Sequence, residues 1–95
     1  MAYQVEFHPE VVAEDLRELP ANLRTRIIRA IDKRLTTEPT RYGTKLRQAL
    51  SELWKLRVGD YRVVYEVRGH RVTVWAVRHR KDVYDEVERR WITLG

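Results

Sequence analysis

The residues best suited to chemistry lie between positions 53 and 84, where Lys and Arg alternate with apolar side chains. Positions 53–81 contain eight basic and two acidic residues, a net charge of +6, against +5 for the whole chain. The positive charge is therefore concentrated in one stretch, and this concentration indicates a polyanionic partner such as nucleic acid. Lysine and arginine side chains can bind a phosphate and stabilise negative charge that develops on it during a reaction.

The composition excludes several other kinds of site. Ninety-five residues correspond to one domain, 1–95, and the charged fraction of 35% is typical of a soluble globular protein. The chain has no cysteine, and its three scattered histidines lack metal-ligand spacing, so we expect no disulfide, metal or cofactor. No apolar run approaches the ~20 residues of a membrane span. Because a signal-peptide pattern is also absent, the sequence predicts a cytoplasmic protein without a membrane partner.

The elements that position the basic stretch are predicted in the order β-α-α-β-β-β-α. A first strand over 2–8 precedes two helices, 9–19 and 22–36, which Pro20 separates and of which Asn22 caps the second. The predicted fold class is α+β, with a small, mainly antiparallel sheet packed against the helical hairpin and a C-terminal helix.

Tight turns divide the second half of the chain. Residues 39–47 are predicted to form a connection, after which Gly59–Asp60 and Gly69–His70 read as two-residue hairpin turns. Glycine favours such turns because it adopts the positive φ that they require. Asp82 then caps a last helix over 83–91, whose apolar residues recur at helical spacing.

The first hairpin turn brings basic residues together on one face of the sheet. It places Arg57 opposite Arg62 and Lys55 opposite Val64, with all four side chains on the same side. Like charges directly opposite each other destabilise a sheet. The cluster is therefore either splayed into water or retained for an anion, and the pattern leaves the face of Arg78 open.

Three segments, in this order, carry a resemblance to a known family: Leu56–Arg57, Asp60–Tyr65 and Val77–Tyr84. Over almost its whole length the chain resembles the RelE/ParE toxin superfamily, and it is most similar to the RelE branch. The resemblance implies a type II toxin that enters the ribosomal A site, beside the 16S rRNA, and cuts the mRNA there. The implied partners are a cognate antitoxin, which blocks the toxin, and operator DNA that is reached through the antitoxin.

The implied cleavage is metal-free: the 2′-hydroxyl attacks the adjacent phosphate and leaves a cyclic phosphate and a 5′-hydroxyl. Such a step needs a proton acceptor, a proton donor and positive charge on the phosphorane. Lys55 matches a family lysine as the candidate base, and Arg62 is the candidate for gripping the phosphate. Arg80 matches the arginine of the acid or charge-stabilising role, and Tyr84 matches an aromatic residue that stacks on or orients the nucleotide. The predicted RNA contacts are Lys45, Arg57, Arg78, His79 and Lys81.

One departure from the RelE pattern keeps alternatives open. Leu53 stands where that pattern has a second lysine, so the position is either simply core or a sign of slower cleavage or of a different base, such as His79. The acid role can also fall to Arg78 instead of Arg80. Two other functions remain: a ParE-like inhibitor of DNA gyrase and a catalytically decayed module that only binds an antitoxin. Tyr61 and Tyr65 are predicted to lie in the core, with each phenol reaching water or a partner.

Overall fold

The computed structural model describes residues 2–94. Its centre is a five-stranded sheet in the spatial order β1-β5-β4-β3-β2, in which β1 runs parallel to β5 and the other neighbouring pairs are antiparallel. The strands are β1 (Gln4–Phe7), β2 (Thr44–Lys45), β3 (Leu53–Val58), β4 (Tyr61–Arg68) and β5 (Arg71–His79). The predicted α+β class with a mainly antiparallel sheet is confirmed.

Within the described residues, four α-helices and one short 3₁₀ helix, Gln48–Leu50, accompany the sheet. Helix α1 (Val11–Asp15, continued by Leu16–Glu18) and helix α2 (Ala21–Ala30, continued by Ile31–Leu35) form the predicted hairpin, and each includes one stretch of wide π-type turns. The remaining helices are α3 (Pro39–Tyr42) and α4 (Val83–Leu94). Within residues 2–94, no helix combines the length and the apolar character needed to cross a membrane.

Two local predictions are corrected by the structure. The predicted connection over 39–47 contains helix α3 and the two-residue strand β2, which pairs with β3 and ends the sheet on that side. Asn22 is not an N-cap, because α2 begins at Ala21 with Pro20 in the capping position and no side-chain hydrogen bond closes that end. Pro20 lies between the two helices, where its lack of a backbone N–H ends the first one, so no polar cap is needed to separate them.

Both faces of the sheet are buried, but to different extents. On one face, α1 and α2 form the larger core, to which the predicted stripe of α2 contributes Ile27, Ile31 and Leu35. On the other face, α4 covers the sheet near the start of β3 and forms a smaller core. The fully buried members of this second core are Leu53, Val64, Ala76, Val83 and Val87.

Both hairpin turns form as predicted. Strand β3 ends at Val58 and β4 begins at Tyr61, while β4 and β5 are likewise separated by two residues. Gly59 and Gly69 have φ of +60° and +57°, the conformation that favours glycine at this position of a tight turn.

A bulge in β5 shifts the register in the middle of the second hairpin. Val64 pairs with Ala76, whereas the next residue, Tyr65, pairs with Val74, so Trp75 is the extra residue on β5. A bulge of one residue reverses which face each later side chain points to. Trp75 and Ala76 consequently both pack on the side of α4.

Candidate functional site

A row of basic side chains lies on the α4 side of the sheet, beyond the part that α4 covers. Arg57 lies opposite Arg62, as predicted, and Arg62 lies opposite Arg78. Lys55 lies opposite Val64 and shares this side with Arg57, two residues away. We call Lys55, Arg57, Arg62 and Arg78 the cationic face. The β5 bulge sets the register of Arg78, and this is why the sequence pattern left its face open.

The three arginines of this row differ in how far their charge is neutralised. Arg78 Nε donates a hydrogen bond to Asp15 Oδ1 at 3.0 Å, and the Asp15 side chain is fully buried. Arg62 Nη1 donates to two backbone carbonyls at the β3–β4 turn, at 3.0 and 2.9 Å, which satisfies the donor but leaves the charge. Within residues 2–94, no carboxylate lies in ion-pair distance of Arg57 or Arg62. The Arg57–Arg62 pair therefore keeps two positive charges available to an anion.

Lys55 and Tyr84 meet where the cationic face reaches helix α4. The Lys55 ammonium lies 5.8 Å from the centroid of the Tyr84 ring, within the range of a cation–π contact. Both side chains are half-buried, and Tyr84 packs against the second core at the start of α4. An ammonium and an aromatic ring are thus held side by side at one end of the row of arginines.

Arg80 and Lys81 lie in the segment between β5 and α4, beside the turn that Arg62 also contacts. The backbone N–H of Arg80 donates to the Asp60 carbonyl at 2.8 Å, and its Nε lies 4.0 Å from Asp60 Oδ1. Both basic side chains are exposed. Arg80 therefore brings an exposed basic side chain to the β3–β4 turn, where Arg62 is anchored, with the Asp60 carboxylate at the limit of ion-pair distance.

Two predicted RNA contacts lie apart from the cationic face. Lys45 pairs with Trp54, with its ammonium 5.7 Å from the indole centroid, and Trp54 packs against the core of the helical hairpin. His79 pairs with Tyr61, at 5.7 Å between ring centroids, and Tyr61 packs against that same core. Both side chains therefore belong to the opposite face of the sheet. Among the described residues, no group of three His, Asp or Glu side chains is placed to hold a metal ion.

Comparison with known proteins identifies the family. Residues 5–84 match the family model described as the ParE toxin of the type II toxin–antitoxin system. The toxin RelG of Mycobacterium tuberculosis is 33% identical over 86 residues, which cover 88% of this chain and 98% of RelG. The chain belongs to the RelE/ParE toxin family. The predicted resemblance is confirmed.

Solved structures of RelE/ParE family members have the same fold. The M. tuberculosis RelBE2 toxin–antitoxin complex contains a chain that matches with a TM-score of 0.78 and 29% identity, covering 84% of this chain and all of that one. The RelE–RelB complex of Pyrococcus horikoshii matches with a TM-score of 0.67 and 30% identity, covering 84% of this chain and 97% of its toxin chain. Both matches are chains of crystallised complexes, the first a toxin–antitoxin complex and the second a RelE–RelB complex.

Leu53, which stands where the RelE pattern of this family has a lysine, is a core residue. Its side chain is fully buried beneath α4 with Val64 and Ala76. A lysine at this position would place an ammonium in an apolar core, which is costly unless the charge is paired. Lys55, two residues later, is the one lysine of β3, and it lies beside Arg57 on the cationic face of this RelE/ParE toxin.

Two charged residues of this RelE/ParE toxin were not singled out by the sequence. Asp15 and Arg90 form a fully buried ion pair behind Arg78, with Nη1 and Nη2 of Arg90 each 2.9 Å from an oxygen of Asp15. Burial alone lowers the pKa of Arg90, but the hydrogen bonds and charges of Asp15 and Glu86 reverse this effect and raise it above its ordinary value. Asp15 carried only the signal of an acid near a helix start, and Arg90 carried none, because the contact joins residues 75 positions apart.

Proposed function

We propose that the protein is an RNA-cleaving toxin that acts on mRNA in the ribosomal A site and is neutralised by a cognate antitoxin. The observation that carries this proposal is the Arg57–Arg62 charge, which no carboxylate pairs in the described part of the chain, beside the Lys55–Tyr84 contact on one face of the sheet. This arrangement offers phosphate binding, a proton acceptor and a stacking surface within one patch. The family membership and the relatives named RelG and RelE support the same class of activity.

In this proposal the positive charge of the face stabilises the reacting phosphate. The Arg62 guanidinium binds the two non-bridging oxygens of the scissile phosphate through its planar fork. Its anchoring to the carbonyls at the β3–β4 turn limits the motion of the side chain. Arg57, directly opposite Arg62 on β3, adds a second charge, and Arg80 is assigned a third at the β3–β4 turn, so the negative charge that grows on the phosphorane is compensated as it forms.

The proton transfers are assigned to Lys55 on the cationic face and to Arg80 in the segment that follows β5. Lys55 is assigned as the acceptor of the 2′-hydroxyl proton, which it takes while the 2′-oxygen forms a bond to phosphorus. The bond between phosphorus and the 5′-oxygen breaks. The leaving oxygen takes a proton from the Arg80 guanidinium or from a water molecule in contact with it. The products are a 2′,3′-cyclic phosphate and a 5′-hydroxyl, so no metal is required by the balance of the reaction.

Tyr84 is assigned to orienting the nucleotide. Its ring stands at the border of the cationic face and already contacts a cation. A nucleobase that stacks on this ring would set its ribose and phosphate toward the arginines, and such stacking tolerates different bases. Lys81 and Arg78 are proposed as flanking contacts, whereas the positions of Lys45 and His79 favour contacts with RNA outside the cleavage site.

The proposed partners follow from the same face. A cognate antitoxin that covers Lys55 and Arg62 would present acidic side chains to them, and complexes of related toxins support such a partner. The 16S rRNA around the A site is the proposed polyanion that the remaining basic surface meets. Operator DNA would be reached through the antitoxin.

Mapping new mRNA 5′ ends after brief expression without an antitoxin tests the proposal. We expect frame-aligned cuts inside translated codons, which disappear for Arg62→Ala. Arg68→Ala is the matched control, because Arg68 lies on the same strand at its far end and pairs with Glu66 at 2.6 Å. Cuts that persist in Arg62→Ala, or that are lost equally in Arg68→Ala, would reject the assigned site. Binding of RNA without any cut would favour the decayed module.

Inhibition of DNA gyrase is the second candidate function. The matched family model carries the ParE name, and Leu53 removes one lysine of the RelE pattern. A supercoiling assay with purified gyrase separates the two functions. Growth arrest with inhibited supercoiling and no new mRNA ends would establish the ParE-like function, whereas an unaffected supercoiling reaction would exclude it.

A further inference from the structure

A buried carboxylate, Asp15, connects the cationic face with two other elements. Its Oδ2 accepts hydrogen bonds from the backbone N–H of Val77 and from Arg90 Nη1, both at 2.9 Å. Its Oδ1 accepts from Arg78 Nε at 3.0 Å and from Arg90 Nη2 at 2.9 Å. Four donors therefore fix one carboxylate, and they come from β5 and from α4, while Asp15 itself lies on α1.

The position of Asp15 follows from where strand β1 ends. The last residue of β1, Phe7, pairs with Val74, so β5 continues beyond its parallel neighbour. The Val77 N–H on this edge would have no strand partner, and the Asp15 carboxylate takes its place. Satisfying this one N–H does not need a buried charge, since a neutral amide oxygen would accept the same bond.

The charge of Asp15 acts on the two arginines. Arg78 lies directly opposite Arg62 in the sheet, and two such like charges repel each other unless one is compensated. Asp15 compensates Arg78 from behind the face, whereas Arg62 has no carboxylate partner among residues 2–94 and can bind an anion. Its bidentate bond to Arg90 also fixes α4, the helix whose first turn carries Tyr84.

We propose that Asp15 is a positioning residue for the cationic face, which it organises by holding Arg78 beside Arg62 and by seating the helix that presents Tyr84 to Lys55. This inference rests on the proposed function, because the face that Asp15 organises is the one assigned to RNA cleavage. A buried ion pair is weak evidence for stability, since apolar replacements of such pairs often leave stability unchanged. The positioning of Arg78 and of helix α4 explains why residue 15 is a charged aspartate.

The test compares Asp15→Asn with Glu14→Gln. Both variants lose one carboxylate from adjacent positions of α1, but Glu14 is exposed and lies 3.7 Å from Arg90 Nη2. With the folded fraction of each variant measured by thermal unfolding, kcat and KM are determined for cleavage of a short mRNA on programmed ribosomes. We expect Asp15→Asn to lower kcat by about 10- to 100-fold with KM changed little, because the reacting groups are displaced rather than lost. Glu14→Gln is expected to retain the wild-type kcat.

A measurement without RNA separates this inference from the proposed function. The Arg78 Nε–H proton and the contact between Lys55 and Tyr84 can be followed by NMR in the free protein. We expect Asp15→Asn to shift the resonance of the Arg78 Nε–H proton and to weaken the cross-peaks between the Lys55 and Tyr84 side chains. This result is expected even if the wild-type protein proves to cut no RNA. Signals that match those of Glu14→Gln would overturn the inference, whatever the cleavage assay gives.

Two further variants guard against a purely structural effect. In an Arg78→Ala background, Asp15→Asn should lower kcat less than in the wild type, because part of its effect is transmitted through Arg78. If Asp15→Asn does not fold, the double variant Asp15→Asn/Arg90→Met removes both fully buried charges. Glu10 and Glu86, which Arg90 also contacts, keep Arg89 as a partner, so this variant is expected to fold. A double variant with the wild-type stability and the wild-type kcat would overturn the inference, whereas wild-type stability with a reduced kcat would support it.

Discussion

Replacing Gly43 with alanine is expected to destabilise the protein more than the same change in a hairpin turn. Gly43 has a φ of −98°, which any residue adopts, so its requirement is steric. A Cβ at this position would lie 1.9 Å from Tyr65 Oη, 2.9 Å from Tyr65 Cζ and 3.2 Å from the Lys55 carbonyl oxygen. Such contacts essentially never fall below 3.0 Å, so the ring or the backbone would have to move by about 1 Å.

The Tyr65 ring has little room to move. It is fully buried in the larger core, and its hydroxyl donates a hydrogen bond to the Pro39 carbonyl at 2.5 Å. Burial also raises the pKa of Tyr65, so the phenol stays protonated and remains a donor. Because this bond ties helix α3 to β4, a displaced ring would break a buried hydrogen bond as well as the packing around it.

The expected cost can be set against a control. Overpacking of a core costs up to about 3 kcal/mol, which for a protein of this length lowers Tm by roughly 12–24 °C. In Gly69→Ala the new Cβ meets no atom within 4 Å, and only the φ of +57° is unfavourable. That change should cost about 1–2 kcal/mol. Chemical denaturation of the two variants measures both values.

A double-mutant cycle identifies the clash. Tyr65→Phe alone should cost about 1–3 kcal/mol, because it leaves the Pro39 carbonyl without its donor. Phenylalanine also removes the oxygen that the alanine Cβ would meet, so the cost of Gly43→Ala/Tyr65→Phe should fall short of the sum by about 1–2 kcal/mol. Strict additivity, or a Gly43→Ala variant no less stable than Gly69→Ala, would refute the steric argument.

Other predictions concern the site and the response to acid. Tyr84→Phe should retain mRNA cleavage on programmed ribosomes, whereas Tyr84→Ala should lower the rate by about tenfold or more. This factor is the equivalent of the free energy of one lost stacking contact. Equal rates for both variants would exclude stacking. Arg57→Ala should reduce the slope of log affinity against log salt for single-stranded RNA by about 0.7, while Arg41→Ala, on α3, should leave it unchanged. A hydrogen bond from Arg89 lowers the pKa of Glu86, so its contribution to stability is present above the ordinary value of 4.5 and is lost as the pH falls further. Urea titrations of Glu86→Gln between about pH 5 and pH 3 should therefore show a smaller loss of unfolding free energy than the wild type.

The local features of the fold could be predicted because they depend on short-range patterns. Alternation of apolar and basic residues located β3 and β4, and the two glycines located the turns. With a two-residue turn, pairing follows by counting, and this is why Arg57 was correctly placed opposite Arg62. Counting from the turn cannot give the pairing beyond Trp75, because no residue pattern indicates that β5 carries one extra residue.

Contacts across the fold could not be predicted in this way. The ion pairs of Asp15 with Arg78 and Arg90 join residues 63 and 75 positions apart, and each partner alone resembles an ordinary surface charge. Lys45 was assigned to the RNA surface because the connection leads toward the sheet. Its face depends on the register of the two-residue strand β2, which has no periodicity of its own to read.

Strand β3 shows why the border of the site depends on tertiary structure. Leu53, Lys55 and Arg57 point to one face by the same period of two, yet the first is fully buried, the second half-buried and the third exposed. The difference is set by where α4 begins, because Val83 and Val87 cover the start of the strand and Tyr84 marks the end of that cover. A lysine at position 53 would lie beneath this helix, whereas Lys55 lies at its edge, where a side chain can contact both the aromatic ring and a bound phosphate. The position of α4, which the Asp15–Arg90 ion pair fixes, therefore determines which basic residue of β3 can take part in the proposed reaction.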